Sequence, residues 1–397
     1  MWGNQMQNVR INIERLKKNL VEVNHVANGG SVGYTRLAFS KEEKAALDWL
    51  QGKLQQLNVE IQVDRIGNVF GRSGSKSERA IAFGSHLDTV QNGGFYDGSL
   101  GVVIGLECLQ TILENGGSSF PIELVCFVAE EAYILGGTFG SRAVAGSIPY
   151  TDKFNCKSEK LNYSWEETQA VKLSGDRWKS FLELHIEQGT VLEKSNKQIG
   201  IVTGIAGILR LSVTVKGRAS HSGTTPMDSR QDALVDASTL ILEVNRLANS
   251  MKSQIVATVG EINVRPNSAN VVPDIAELTI EVRSEKWEEI QKFETEIRKF
   301  IKANLNASIN IGVQKYPSKL SEFVQKNIEM SCQRLSIPYQ HMVSGANHDA
   351  NSLTALTDVG MIFVPSKGGV SHHHEEFTNW EDIEAGANVM LQTILNL

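Results

Sequence analysis

Ala80-Ile-Ala-Phe-Gly-Ser-His-Leu-Asp88 is an apolar run of strand length that ends abruptly in an imidazole and a carboxylate. Three later runs repeat the pattern. Ile122 to Ala129 ends in Glu130-Glu131, Phe181 to Leu184 in His185-Ile-Glu-Gln188, and Met361 to Pro365 is soon followed by Ser371-His372. Short continuous apolar runs read as buried strands. An open parallel sheet binds its ligands beyond the carboxyl ends of its strands. The spacing therefore predicts four strands delivering His or Glu to one sheet edge.

Helical stripes separate these runs. Ser40-Lys-Glu-Glu43 reads as a capping box, followed by Leu47, Leu50, Leu54 and Leu57 at three- and four-residue steps. Leu100 to Leu113 is a second stripe. Strands alternating with helices predict an α/β fold with a central, mostly parallel sheet. From Leu209 the order changes to βαββαβ. The strands are Leu211 to Lys216, Gln254 to Val264, Ala276 to Arg283 and Ser308 to Val313. One helix follows a box at Ser229 and Asp232, and another carries Ile290, Phe293, Ile297 and Ile301. That order predicts an antiparallel sheet with two helices on one face, inserted as residues 209–319 between catalytic segments 1–208 and 320–397. A helix near Ser321 to Leu335 and a last one capped by Thr378 with Glu381 complete the expectation.

Composition sets the bounds. The 397 residues are 41% hydrophobic and 21% charged, a soluble globular balance, and at about 150 residues per domain they imply two or three domains. The net charge of −6, with no basic block, argues against nucleic acid or an anionic membrane as partner. No apolar stretch approaches the ~20 residues that span a bilayer. Met1 to Leu20 is polar, unlike a signal peptide, so a cytoplasmic location is expected. Cys108, Cys126, Cys156 and Cys332 lack the spacing of a disulfide framework or thiolate metal site.

His86, Asp97, Glu131, His185 and His372 form a coherent donor set of three imidazoles and two carboxylates. Such ligands suit Zn²⁺, Mn²⁺ or Co²⁺. Asp97 lies in Gly93-Gly-Phe-Tyr-Asp-Gly98, where glycines permit a sharp turn that pushes the carboxylate inward. An Asp bridging two ions, with two terminal ligands on each, leaves room for a shared hydroxide that can attack a carbonyl. Glu130 is the free acid beside a ligand and is expected to act as general base. Asp88 is placed to accept the other ring N–H of His86. Taken singly, each residue has an ordinary reading as a satisfied histidine or a solvated loop. Five at one sheet edge favour the site. In the inserted segment, His221 is either a solvated turn or a donor to a developing oxyanion. Asn270 and Arg283 suit a substrate carboxylate, although a surface ion pair is the commoner fate of Arg.

Gly84-Ser-His-Leu-Asp-Thr-Val90, Gly93-Gly-Phe-Tyr-Asp-Gly98 and Glu130-Glu131 resemble the dinuclear metallohydrolases of the zinc-aminopeptidase-like superfamily. His185-Ile-Glu-Gln-Gly189, Gly223-Thr-Thr-Pro-Met227, Ser344-Gly-Ala-Asn-His-Asp-Ala350, and Ser371-His372 with Glu376 narrow the resemblance to its amidase/hydantoinase/carbamoylase branch. That branch includes N-carbamoyl-L-amino acid hydrolases and allantoate amidohydrolases. The resemblance implies two divalent ions per subunit (Zn, Mn or Co) held by His86, Asp97, Glu131, His185 and His372, with Glu130 as base. It implies Gln188, His221, Asn270 and Arg283 as substrate contacts on a carboxylated ureido or amide compound. It further implies that 209–319 is a lid that forms a homodimer and sends His221 into the partner's site. His348 and Asp349 match a motif without an assigned role. Two departures stand out. Ala132-Tyr-Ile-Leu135 replaces the family's Gly-x-Arg-Phe in a shorter loop, and Ser220-His-Ser-Gly223 replaces Gly-His-Ala-Gly. An aminoacylase or dipeptidase using the same centre, and an inactive ligand-binding homologue, are the alternatives.

Overall fold

The computed structural model describes residues 9–26, 32–131, 133–155, 163–251 and 255–397. Cys156 and Ala132 lie outside the described residues. The chain divides into two compact units, Met1–Thr203 with Lys319–Leu397, and Gly204–Ser318. The first boundary falls before Leu209 because the first strand of the inserted unit already begins at Gly207.

In chain order the first unit begins with α1 (Ile13–His25), α2 (Lys41–Gln56), β1 (Glu60–Val63), β2 (Val69–Ser73), β3 (Ala80–His86), α3 (Ser99–Glu114) and β4 (Ile122–Phe127). It continues through α4 (Phe139–Val144), α5 (Trp165–Ala170), β5 (Trp178–Ile186), α6 (Val191–Ser195) and β6 (Ile199–Ile205). The inserted unit contains β7 (Gly207–Lys216), β8 (Ser220–His221), α7 (Ala233–Ser250), β9 (Val256–Arg265), β10 (Val271–Val272), β11 (Ile275–Ser284), α8 (Trp287–Asn304) and β12 (Ala307–Lys315). After β13 (Ser318–Lys319) the first unit resumes with α9 (Glu322–Leu335), β14 (Tyr339–Ser344), α10 (Asp349–Leu353), β15 (Asp358–Val364) and α11 (Trp380–Asn396).

Nine strands form the sheet of the first unit in the order β1-β2-β4-β3-β5-β15-β6-β13, with β14 also pairing β6. Its centre, β4-β3-β5-β15, is parallel. The pairs β1/β2, β2/β4 and β15/β6 are antiparallel. The register sets His86 opposite Phe127 and His185 opposite Phe363, so the strand ends carrying the candidate ligands lie level. Helix α3 is apolar on almost every side and is buried along nearly its whole length, as an all-round hydrophobic helix must be. It packs on β3, β4 and β5 and against α1 and α11. No helix among the described residues is long and apolar enough to cross a membrane.

The inserted unit is a four-stranded antiparallel sheet, β12-β7-β11-β9, plus the two-stranded β8/β10. Leu209, Leu211, Val213 and Val215 alternate inward and meet Ala276, Leu278, Ile280 and Val282 of β11. Ala237, Leu240 and Val244 of α7, with Phe293 and Ile297 of α8, cover that face.

Three helix starts differ from the sequence reading. At α2, Ser40 Oγ caps Glu43 N as expected, but the Glu43 carboxylate does not return to the Ser40 amide. It leaves the helix for the amides of Phe39 and Ala129. Helix α7 is capped by Asp232, which accepts from Leu234 N and Val235 N, because Met227–Ser229 forms a separate 3-10 turn. Helix α11 begins after Asn379, and the buried Thr378 hydroxyl makes no capping bond.

Candidate metal centre

His86 ends β3 and His185 lies one residue from the end of β5, so both imidazoles stand at the carboxyl edge of the parallel sheet. A main-chain carbonyl fixes each ring: His86 Nδ1 lies 3.0 Å from Asp88 O and His185 Nδ1 2.9 Å from Ile186 O. The Nδ1 atoms are therefore donors, and the Nε2 lone pairs face the site. Asp97 stands between them, with Oδ1 3.1 Å from His185 Nε2 and 3.7 Å from His86 Nε2. Its other oxygen, Oδ2, lies 3.3 Å from His372 Nε2, which is itself 3.3 Å from Glu131 Oε1.

The donors thus form two triads, His86–Asp97–His185 and Asp97–Glu131–His372, with the two oxygens of one carboxylate turned to opposite sides. Glu131 Oε1 is buried and has no hydrogen-bond partner, an orphaned acceptor that a cation would satisfy. The electrostatics point the same way. Burial disfavours a charged His86, but Glu130, Asp88 and Asp97 outweigh it and raise its pKa well above the usual imidazole range. The carboxylates of Asp97 and Glu131, each 3.3 Å from its Nε2, push His372 up to about 10. Burial would raise Asp97, yet His185, His372 and His86 hold it well below the usual carboxylate range. A divalent cation supplies the same positive charge and displaces those protons. The donor set therefore fits a pair of borderline divalent ions.

Glu130 is buried, with Oε2 3.8 Å from His86 Nε2. Burial, with Glu131 close by, pushes its carboxyl well above the usual range. Asp88 differs from expectation. His86 Nδ1 is nearer the Asp88 main-chain carbonyl than its carboxylate oxygen, which is 3.4 Å away. The carboxylate instead accepts from the amides of Glu130 and Glu131, each at 3.0 Å. Asn68, which the sequence did not single out, and Glu43, which it marked only as a helix cap, continue this support. Asn68 Oδ1 accepts from Val128 N and Glu43 Oε1 from Ala129 N. Four consecutive amides, Val128 to Glu131, are thereby held by three buried side chains. Ala129 adopts φ 54°, a left-handed conformation that costs about 1–2 kcal/mol and needs such support. No local pattern reveals these partners, because they come from distant segments.

Gln188 turns its amide nitrogen to Asp97 Oδ2 (2.8 Å) and Ser371 Oγ (3.2 Å). Its Oε1 is left buried and without a partner. His348 is a wall rather than a ligand: its ring packs 4.5 Å from that of His185 and its Nε2 is bonded to Ser344. Asp349 is buried nearby and pushed up to about 8 by burial and Glu183. In the departing loop, Tyr133 packs edge-on against Phe39 and Phe139, and Arg142 holds the carbonyls of Leu135, Gly136 and Gly137.

In the inserted unit, His221 and Asn270 are neighbours. β8 pairs with β10 so that His221 faces Val271, and Ser222 N donates to Asn270 O. Gly223 N donates to His221 Nδ1, which makes Nδ1 the acceptor and leaves Nε2–H as an exposed donor. Arg283 is ion-paired with Glu281. It lies at the other end of β11 from Ile275, 283 − 275 = 8 residues away, or about 26 Å at ~3.3 Å per residue.

The sequence pattern of peptidase family M20/M25/M40 matches residues 82–396. An N-carbamoyl-L-amino-acid amidohydrolase of Paenarthrobacter aurescens is 36% identical over 400 residues, covering 96% of this chain and 97% of its own. An allantoate amidohydrolase of Bacillus subtilis is 33% identical over 382 residues, covering 92% and 93%. A hydantoinase/carbamoylase-family amidase from Burkholderia multivorans superposes with a TM-score of 0.88 at 30% identity, over 98% of both chains.

Proposed function

The chain belongs to peptidase family M20/M25/M40, and from that premise we propose that it is a metal-dependent amidohydrolase cleaving the carbamoyl C–N bond of an N-carbamoyl-L-amino acid or an allantoate-like ureido acid. The observation that carries the reading is the pair of triads sharing Asp97. When bound there, two divalent ions of the Zn, Mn or Co type would polarise the scissile carbonyl and bring the pKa of water near neutrality.

The protein's own groups do the rest. Glu130, with its raised pKa, takes a proton from water and passes it to the leaving nitrogen. The products are the free amine and carbamic acid, which yields ammonia and carbon dioxide. His221 Nε2–H donates to the oxyanion of the tetrahedral intermediate. Arg283, exchanging Glu281 for substrate, and Asn270 bind the carboxylate. His221 and Asn270 belong to the two-stranded β8/β10 and Arg283 to the last residues of β11, and we infer that the active site takes them from two copies, as in a homodimer built through the lid. Gln188 favours a ureido over an acyl substrate. Its unpartnered Oε1 can accept from a terminal NH₂, whereas an acetyl methyl would leave it unsatisfied. A cytoplasmic location belongs to the same reading, supported by free, buried Cys108, Cys126 and Cys332.

The test is ammonia release from N-carbamoyl-amino acids and allantoate with Mn²⁺, Co²⁺ or Zn²⁺ supplied. Turnover is expected in the wild type, and Glu130→Gln should abolish it while the metal stays bound. Release of acyl acids without ammonia from ureido compounds would make the protein an aminoacylase. Thermal stabilisation by these compounds without product would make it a binding protein.

A further inference from the structure

We propose that Glu376 is a positioning residue that latches the loop bearing His372 onto the loop bearing Asp97, and that the second cation triad depends on this latch while the first does not. The inference rests on the two-ion reading above. The two triads are built differently. His86 and His185 are buried, stand on strands, and have Nδ1 fixed by main-chain carbonyls. His372 stands on the loop after β15, its side chain is 50% exposed, and its φ is 54°. Something other than the sheet must hold it opposite Asp97.

Glu376 is in position to do so. Its Oε1 accepts from the amides of Tyr96 (2.9 Å) and Asp97 (3.0 Å). Its Oε2 accepts from Ser371 Oγ (2.9 Å), the residue before His372. Ser371 Oγ is also 3.0 Å from Asp97 Oδ2, the oxygen that faces His372. A bond from Glu376 N to His373 O closes the loop upon itself. One buried carboxylate thus ties together two segments 279 residues apart. Gly94 makes room for it: a methyl group there would stand 2.5 Å from Glu376 Cβ. Asp97 has a second anchor that serves the first triad. The chain enters α3 immediately after it, with Leu100 N bonded to Tyr96 O and Ser99 Oγ held by the buried Arg36. The loop of His372 has, besides Glu376, the bond from Gln188 Nε2 to Ser371 Oγ and, further from His372, those from Lys367 N to Phe377 O and from Gly368 N to Glu193 Oε2.

The experiment is equilibrium dialysis of the metal-stripped full chain against Mn²⁺ alone, with the bound metal counted and thermal unfolding followed in parallel. The wild type is expected to bind two ions. Glu376→Ala should keep one with the wild-type constant of the tighter site and bind the other at least 10- to 100-fold more weakly, the range expected for lost hydrogen bonds to a charged group. Glu376→Gln, which retains an acceptor for the two amides, should fall between. Two ions bound by Glu376→Ala with unchanged constants, or both weakened equally, would overturn the latch. If Glu376→Ala does not fold, Ser371→Ala decides: one-sided weakening supports the latch and equal weakening removes it. A wild type that does not bind a pair of ions would refute the two-ion reading itself, whatever the variants do.

Discussion

Gly98→Ala should dismantle the metal centre from a position that donates nothing to a metal. Gly98 follows Asp97 with φ 64° and ψ −54°, outside the basins open to other residues. Its missing side chain is occupied space: a methyl would stand 2.5 Å from His86 Nε2 and nearer still to its Cε1 and Nδ1. Ordinary contact begins at 3.4 Å, so the ring or the Asp97 turn must move by about 1 Å. Metal–ligand distances tolerate only ~0.2 Å. Backbone strain adds about 1–3 kcal/mol. Loss of an outer partner of a metal ligand alone costs roughly 10–100-fold in affinity, and displacement of the ligand itself must exceed that. The assay is bound Mn²⁺ per chain, with kcat and the unfolding temperature. Gly52→Ala is the control: this glycine lies inside α2 with open space around it, so alanine should stabilise by up to about 1 kcal/mol and leave metal binding unchanged. If Gly98→Ala kept two ions and a kcat within threefold of wild type, the geometry described for His86 would be wrong.

Asp88→Asn should lower kcat about 10- to 100-fold while destabilising the fold by about 1–3 kcal/mol, because one of the amides of Glu130 and Glu131 would face an NH₂ group. Wild-type kcat in this variant would show that these amides need no carboxylate. Burial and Asp88 raise Glu43 from its ordinary 4.5 to about 8. Between those values the folded chain binds more protons than the unfolded one, so this group's contribution makes stability fall as pH rises through the window. Denaturant unfolding across that range should show the decline, and Glu43→Gln should flatten it; identical slopes would exclude Glu43 as its source. Mixed inactive variants test the two-copy site. Combining His221→Ala with Arg283→Ala chains under exchange should restore about a quarter of wild-type activity at subsaturating substrate, since half the random pairs carry one intact site of two. No recovery, with exchange verified, would mean that His221 and Arg283 serve the site through one copy or not at all.

Strand-length apolar runs ending in His86, Glu130-Glu131 and His185 were legible because a parallel sheet imposes the same punctuation on the strands that reach its ligand edge, whereas His372 stands on a loop beyond the end of β15 at Val364. The βαββαβ order of the inserted unit was equally plain, since β7 and β11 alternate cleanly with one face buried. The support around the candidate metal ligands was not. Glu43 reaches Ala129, Asn68 reaches Val128 and Glu376 reaches Asp97 across long sequence separations, and the sequence marks Asn68 not at all, Glu43 only as a helix cap and Glu376 only as part of a family motif. Asp88 illustrates the limit of proximity. Being two residues from His86 suggested a ring partner, but the sharp turn after β3 offers the ring a carbonyl and frees the carboxylate for the next strand's loop. The helix caps at Ser229 and Thr378 failed for a related reason. A capping residue needs extended backbone immediately before the helix, and at those places Asp232 and Asn379 hold it. Gln188 matched a substrate contact in sequence, whereas the folded chain shows its nitrogen already committed to Asp97 and only its oxygen unpartnered.

The most direct measurement is anomalous diffraction from crystals of the Mn²⁺-loaded protein. Two peaks per chain are expected about 3.5–4 Å apart, one within reach of His86 and His185, the other within reach of Glu131 and His372, with Asp97 touching both. A single peak, or a pair that Asp97 does not join, would contradict it.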